Sequence, residues 1–181
     1  MIEIRWHGRG GQGAFTAARL LGNAMVIDGK QAQAFPSFGP ERRGAPVLAF
    51  NRIDDERITD RSEVVECDSA VVLDDTLFGD AVRNGLKDNA VVVINTVKDK
   101  SEFDFRGKNV RLFTIDATGL ALDILGRDIT NVPLLGALAA ATDIAGLDIL
   151  KQAIDEQLAP KIREKNKKLL EEAYNVIKEG N

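Results

Sequence analysis

Ile2-Glu3-Ile4-Arg5-Trp6-His7-Gly8-Arg9-Gly10-Gly11-Gln12-Gly13, followed by Ala14 to Ile27, is the stretch on which the fold turns. Ile2, Ile4 and Trp6 alternate with Glu3 and Arg5, the period of a strand with one buried face. Ala17, Leu20, Leu21, Ala24 and Met25 then share one face of a helix, and Asp28-Gly29 stops it. Gly8, Gly10 and Gly13 satisfy G-x-G-x-x-G between that strand and that helix, the context in which the spacing carries meaning. Without Cβ atoms the backbone can turn tightly and approach a ligand, while N–H groups at a helix start face negative charge. Close helix-to-sheet packing needs the same glycines, so the spacing by itself leaves a ligand site and a packing role open.

Outward from this unit, residues 31–35 read as a short second strand. A loop with three prolines and two glycines follows, from Pro36 to Pro46. Val47 to Ile53 reads as a strand that Asp54-Asp55 turns into Arg57-Ile58-Thr59, a local antiparallel hairpin. Ala70–Leu73, Ala90–Ile94 and Val110–Ile115 are short and rich in β-branched residues, as interior strands are. Thr76–Leu86 and Ala117–Leu125 have helical spacing, the second closed by Gly126. The last third is helical: an uncharged, buried segment over 132–142, a helix over 147–157, and a final helix opened by Pro160. In that last helix Ile162, Asn166, Leu169, Leu170, Ala173 and Ile177 form the inward stripe. The alternation predicts an α/β fold: a three-layer α/β/α sandwich with a mainly parallel sheet and a local antiparallel hairpin, in one domain over 1–181.

Composition narrows the function. The chain has 181 residues, 44% apolar and 29% charged, in the range of ordinary globular domains. Aromatics are 6%, little material for stacking bases, and the net charge of −4 argues against bulk nucleic-acid binding. Charge is uneven: residues 1–52 hold seven Lys/Arg against three acids, a basic surplus in the region of the glycine loop. A lone cysteine, Cys67, can form neither an internal disulfide nor an iron–sulfur cluster, and the lone His7 leaves no second imidazole for zinc. The chain start lacks signal-peptide features and no apolar run approaches 18 residues, so a cytoplasmic location without membrane contact is expected.

The residues that could carry chemistry are few. An NAD-binding domain places an acid after its second strand, whereas here Pro36-Ser37-Phe38-Gly39 follows Phe35, and Glu41 comes later with two arginines behind it. Arg42 and Arg43 could fork onto phosphate or carboxylate, or lie in a subunit salt bridge. His7, without a nucleophile or acid partner in view, and Cys67 both read as structural. Asp74-Asp75 reads as a helix cap rather than a metal site. No catalytic residue and no metal ligand is assigned.

Trp6-His7-Gly8-Arg9-Gly10-Gly11-Gln12-Gly13 and Ala32 to Val47, with Glu41-Arg42-Arg43-Gly44-Ala45-Pro46 at its end, resemble the gamma subunits of pyruvate:ferredoxin oxidoreductases (pyruvate synthases), within the 2-oxoacid:ferredoxin oxidoreductase family. The resemblance continues through Asn51–Asp55, Asn95-Thr96, Ile115–Thr118 and Asn131–Ala139, nearly the whole chain. It implies a supporting subunit, similar to the third domain of single-chain members, in a complex with alpha, beta and delta subunits. Such a complex decarboxylates a 2-oxoacid on thiamine diphosphate with magnesium, passes electrons through iron–sulfur clusters to ferredoxin, and transfers the acyl group to coenzyme A. The resemblance implies that those groups sit on the other subunits. It leaves Gly8, Arg9, Gly10, Gly11, Gln12, Gly13, Arg42 and Arg43 as candidates for the coenzyme A approach or a subunit interface. Pyruvate is the expected substrate, with 2-ketoisovalerate, 2-oxoglutarate and indolepyruvate as alternatives in the same family. An autonomous Rossmann-type nucleotide-binding enzyme is the alternative outside it.

Overall fold

A computed structural model describes residues 1–37 and 43–180. The strands are β1 (Ile2–Arg9), β2 (Gln31–Pro36), β3 (Pro46–Asp54), β4 (Cys67–Val72), β5 (Leu86–Asn95) and β6 (Val110–Ile115). The helices are α1 (Ala14–Ile27), α2 (Asp80–Arg83), α3 (Ala117–Leu125), α4 (Asn131–Thr142), α5 (Leu147–Gln157) and α6 (Pro160–Glu179). The strands form one sheet in the order β2-β3-β1-β4-β5-β6, parallel from β1 to β6 and antiparallel at β1/β3 and β3/β2. The α/β class, the mostly parallel sheet and the local antiparallel pairing expected from the sequence are present.

Alternation decides what each face buries. Ile4, Trp6, Ala49 and Val71 point to the face covered by α1, α4, α5 and α6, which holds the larger core. Phe50, Cys67, Ala70, Val72, Val92 and Ile94 point to the other face. That second layer is thin: α2, two single 3₁₀ turns at 75–77 and 100–102, and loops carrying Val64, Phe103 and Phe105 cover it. Segments 73–85 and 96–109 are too short for long crossover helices with their loops.

Three expectations need correction. The antiparallel partner of β3 is not 57–59, which lies in no strand; β3 pairs Ala49 with Pro36 and Asp54 with Gln31 on one side, and β1 on the other. The Asp54 carboxylate accepts the N–H of Asp55 and Glu56 and pairs with the N-terminal amine at 3.0 Å, which ends the strand. Arg52 then donates to the Ser62 carbonyl at 2.7 Å and holds the following segment against the sheet. Thr76–Leu86 is not one helix. Gly79 is extended, Phe78 turns inward onto Phe103 and Phe105 with ring centroids 5.1 Å away, and β5 has begun by Leu86. The strand β1 also outlasts its expected end, because Gly8 and Arg9 pair with Val47 and Pro46.

Asn51, fully buried on β3, joins the layers. Its Oδ1 accepts the Trp6 indole N–H at 2.8 Å, and its Nδ2 donates to the carbonyls of Ala18 on α1 at 2.8 Å and Gln33 on β2 at 3.2 Å. On the far side of the core, α4 lies between the sheet and α6, with every residue from Asn131 to Ala141 buried. Gly136 permits that packing: a Cβ there would run into the Leu170 carbonyl of α6. Asn51→Ala strands the Trp6 N–H and is expected to cost about 2–4 kcal/mol of unfolding free energy in a urea titration. Gly136→Ala should cost about 1–3 kcal/mol by forcing two helices apart, and an unchanged midpoint for either variant would contradict these roles.

Candidate functional site

The connections from β1 and β4 diverge, α1 leading towards β2 and the next crossover towards β5, so a crevice opens at the carboxyl ends of these two strands. The glycine loop sits there. Gly10 donates to the Ala45 carbonyl at 2.8 Å, and its own carbonyl accepts the Gly44 N–H at 3.0 Å. A β-bridge pairs Gly10 with Arg43. The two stretches singled out in the sequence, far apart in the chain, thus form one surface. Arg43 is exposed on it; Arg42 lies outside the described residues.

The side chains of the loop are largely committed to holding it. Arg9 Nε pairs with Asp74 at 2.8 Å, and its terminal nitrogens donate to Thr76 Oγ1 at 2.7 Å and to the Gly44 carbonyl at 3.1 Å. Gln12 Oε1 accepts the Arg9 N–H at 2.8 Å. Burial alone would raise the Asp74 carboxyl, but hydrogen bonds from Thr76 and Arg9 outweigh it and hold the group below the ordinary carboxylate range. Asp74 was readable in the sequence only as a cap, which it is, accepting the Thr76 N–H; its link to Arg9 depends on tertiary structure.

The backbone is what the loop leaves to a ligand. Gly13 has φ +80° and caps α1 without a side-chain hydrogen bond, and a Cβ there would lie 2.6 Å from Asn131 Nδ2. Among the described residues, the N–H groups of Ala14, Phe15 and Thr16 find no partner, and the first intrahelical bond runs from Ala17 N–H to the Gly13 carbonyl. Unspent donors at the amino end of a 14-residue helix favour an anion.

Beside this surface, Asn95 ties β5 to α3, donating to the Leu73 carbonyl and to Thr118 Oγ1 at 3.0 Å each, and accepting the Ala117 N–H at 3.0 Å. Asp75 accepts the Thr96 hydroxyl at 2.7 Å and pairs with Lys98 at 3.2 Å. Among the described residues no group of three His, Cys, Asp or Glu side chains is placed to hold a metal ion. No helix among them is long and apolar enough to cross a membrane.

His7 does not reach the crevice. It sits between Leu48 and Val72 in the sheet, 3% exposed, with Nε2 unpartnered. Burial, aided by the charge of Arg5, pulls its pKa down to about 3. Cys67 is likewise structural: its thiol donates to the Gly85 carbonyl at 3.0 Å, and burial pushes it up to about 12. One buried thiol of this kind does not fit an iron–sulfur cluster.

Comparison with known proteins places the chain in a family. Residues 3–176 match the model of the pyruvate ferredoxin/flavodoxin oxidoreductase family, and the chain belongs to it. It is 52% identical to pyruvate synthase subunit PorC of Methanocaldococcus jannaschii, over 97% of this chain and 96% of that one. It is 51% identical to the pyruvate/ketoisovalerate oxidoreductases common subunit gamma of Thermococcus kodakarensis, over 97% and 96%. The crystal structure of the pyruvate oxidoreductase subunit PORC of Thermotoga maritima superposes with a TM-score of 0.84 at 39% identity, over 96% of this chain and 95% of that one. The α/β architecture is therefore that of an oxidoreductase subunit.

The buried neutral imidazole has a pH consequence. Because the folded pKa lies below that of the unfolded chain, the unfolded state binds the extra proton and stability falls as pH drops below 6.5. Relative to His7→Leu, the parent should lose about 1.4 kcal/mol per pH unit on going down from 6.5, read from denaturation midpoints. Parallel pH curves for the two proteins would contradict the burial of a neutral His7.

Proposed function

We propose that the chain is the gamma subunit of a pyruvate:ferredoxin oxidoreductase, or pyruvate synthase, acting with alpha, beta and delta subunits, and that its carboxyl-edge loops line the approach of coenzyme A. The observation that carries the site is the joining of the Gly8–Gly13 loop to the Arg43–Pro46 segment through Gly10, beside the unspent N–H groups of α1. Rigid backbone donors and an exposed guanidinium suit the phosphates of an anionic cosubstrate. In this reading thiamine diphosphate, magnesium and the iron–sulfur clusters belong to the other subunits. The electrons they release pass to ferredoxin, and the complex works in the cytoplasm. Neither His7 nor Cys67 serves as a proton carrier: His7 is enclosed in the sheet and Cys67 is held as a thiol. Its part is to orient and to exclude water.

A second substrate is favoured by one observation: the Thermococcus kodakarensis relative bears a name common to pyruvate and ketoisovalerate oxidoreductases. A shared gamma subunit would leave the choice of substrate to its partners. Autonomous nucleotide binding has less support, because the NAD-type acid after β2 is missing.

The test is Arg42→Ala/Arg43→Ala in the assembled complex. The apparent KM for coenzyme A should rise about tenfold, the loss of about 1.4 kcal/mol of binding, with little change in the decarboxylation half-reaction without coenzyme A. Unchanged kinetics in an intact complex would overturn the site. Tight NAD or NADP binding by the isolated chain would favour the autonomous reading instead.

A further inference from the structure

We infer that a second anion site, separate from the glycine loop's outer face, lies in the cleft between the amino ends of α4 and α6, and that it takes an organic phosphate of nucleotide size. The cleft has a volume of 540 Å³, within the range of small-molecule pockets. Arg127, Lys161 and Lys165 line it, no carboxylate does, and among the described residues none of the three cations makes an ion pair. On the same helical layer Lys151, Lys167 and Lys178 are paired, whereas Lys168, without an ion pair among the described residues, lies outside the cleft.

Two buried amides give the cleft its polar floor. Asn131 is 7% exposed; its Oδ1 accepts the Val132 N–H, while its Nδ2 finds no partner among the described residues. Asn166 is 6% exposed; its Nδ2 donates to the Ile162 carbonyl at 2.8 Å, and its Oδ1 finds no partner there. The side chains are buried, but neither free amide atom is sealed in the core: both residues line the cleft, where a ligand can pair with the free atoms. Thr130 and Ala159 make no capping hydrogen bond, and although Asn131 Oδ1 takes the Val132 N–H, α4 and α6 both begin at this space.

The rest of the lining selects the ligand's body. Leu125, Val132 and Leu158 make an apolar wall, and Ile129 and Ile162 stand 38% and 39% exposed beside it. Ile162 belongs to the stripe that the sequence assigned to the core, yet its neighbour on the stripe, Asn166, opens to the cleft instead of closing over it. A charged head held by three cations, an amide pair and two helix starts, with an apolar wall beside it, matches a phosphate ester better than a metal or a simple carboxylate. Enclosure between helices favours a small molecule over an acidic segment of another chain.

The experiment titrates the isotope-labelled full-length chain with ADP, with inorganic phosphate alone and with coenzyme A, following the Asn131 and Asn166 side-chain amides by NMR. ADP should shift both amides saturably and more tightly than inorganic phosphate. Lys161→Glu/Lys165→Glu, two exposed changes, should weaken ADP at least tenfold without lowering Tm, whereas Lys168→Glu, at an exposed cation of α6 outside the cleft, should leave ADP binding unchanged. Equal affinity for inorganic phosphate would overturn the role of the apolar wall. No amide shift, shifts confined to Gly8–Gly13, or undiminished ADP binding by the doubly charge-reversed variant would overturn the site. So would a doubly charge-reversed variant that binds ADP normally but fails to join its partner subunits. None of these outcomes bears on the coenzyme A approach, whose failure is read from Arg42 and Arg43.

Discussion

A single buried amide holds the architecture in register. Asn51 spends its Oδ1 on the Trp6 indole and its two N–H bonds on Ala18 and Gln33, so β1, β3, β2 and α1 are fixed to one another through three hydrogen bonds in an apolar core. A one-residue slip of β3 would turn the amide to the opposite face and break all of them, at a cost that hydrophobic packing alone would not impose. The antiparallel addition of β2 and β3 to a parallel sheet therefore rests on polar specificity. The parallel strands beyond it rest on the continuous apolar runs of β4 and β5.

The sheet's two ends are built differently. At the amino ends of β1 and β4, Arg52, 1% exposed, pairs with Glu3 at 3.0 Å, and Lys87 bridges Glu3 at 3.3 Å and Asp68 at 3.0 Å. Arg52, Glu3, Lys87 and Asp68 are thus joined in one network that closes this end. At the carboxyl ends the side chains brace the loops while backbone donors stay open. Paired charges and open backbone donors are thus separated along the strand direction.

Much of this site was legible in the residues. The glycine spacing placed a tight turn before α1, and the basic surplus pointed to an anion. Arg9 shows the limit: it reads as a candidate ligand group, but its guanidinium is spent on Asp74, Thr76 and Gly44, partners that lie tens of residues away in the chain. Asn131 shows it again. Nothing local marks it, and its place against Gly13 exists only because α4 passes behind the loop.

The sequence by itself determined the class of fold, because alternation in β1, β-branched runs in β4 to β6 and three-to-four spacing in α1, α5 and α6 are local signals that packing reinforces. It also determined that neither a disulfide nor an iron–sulfur cluster could be held within the chain, since that follows from counting thiols. Only the tertiary structure decided the partner of β3, the breaking of 76–86 into a turn and a short helix, and the meeting of the Gly10 and Arg43 loops. Each of these depends on which distant group answers a buried polar atom or an aromatic ring, and no periodicity along the chain encodes that pairing.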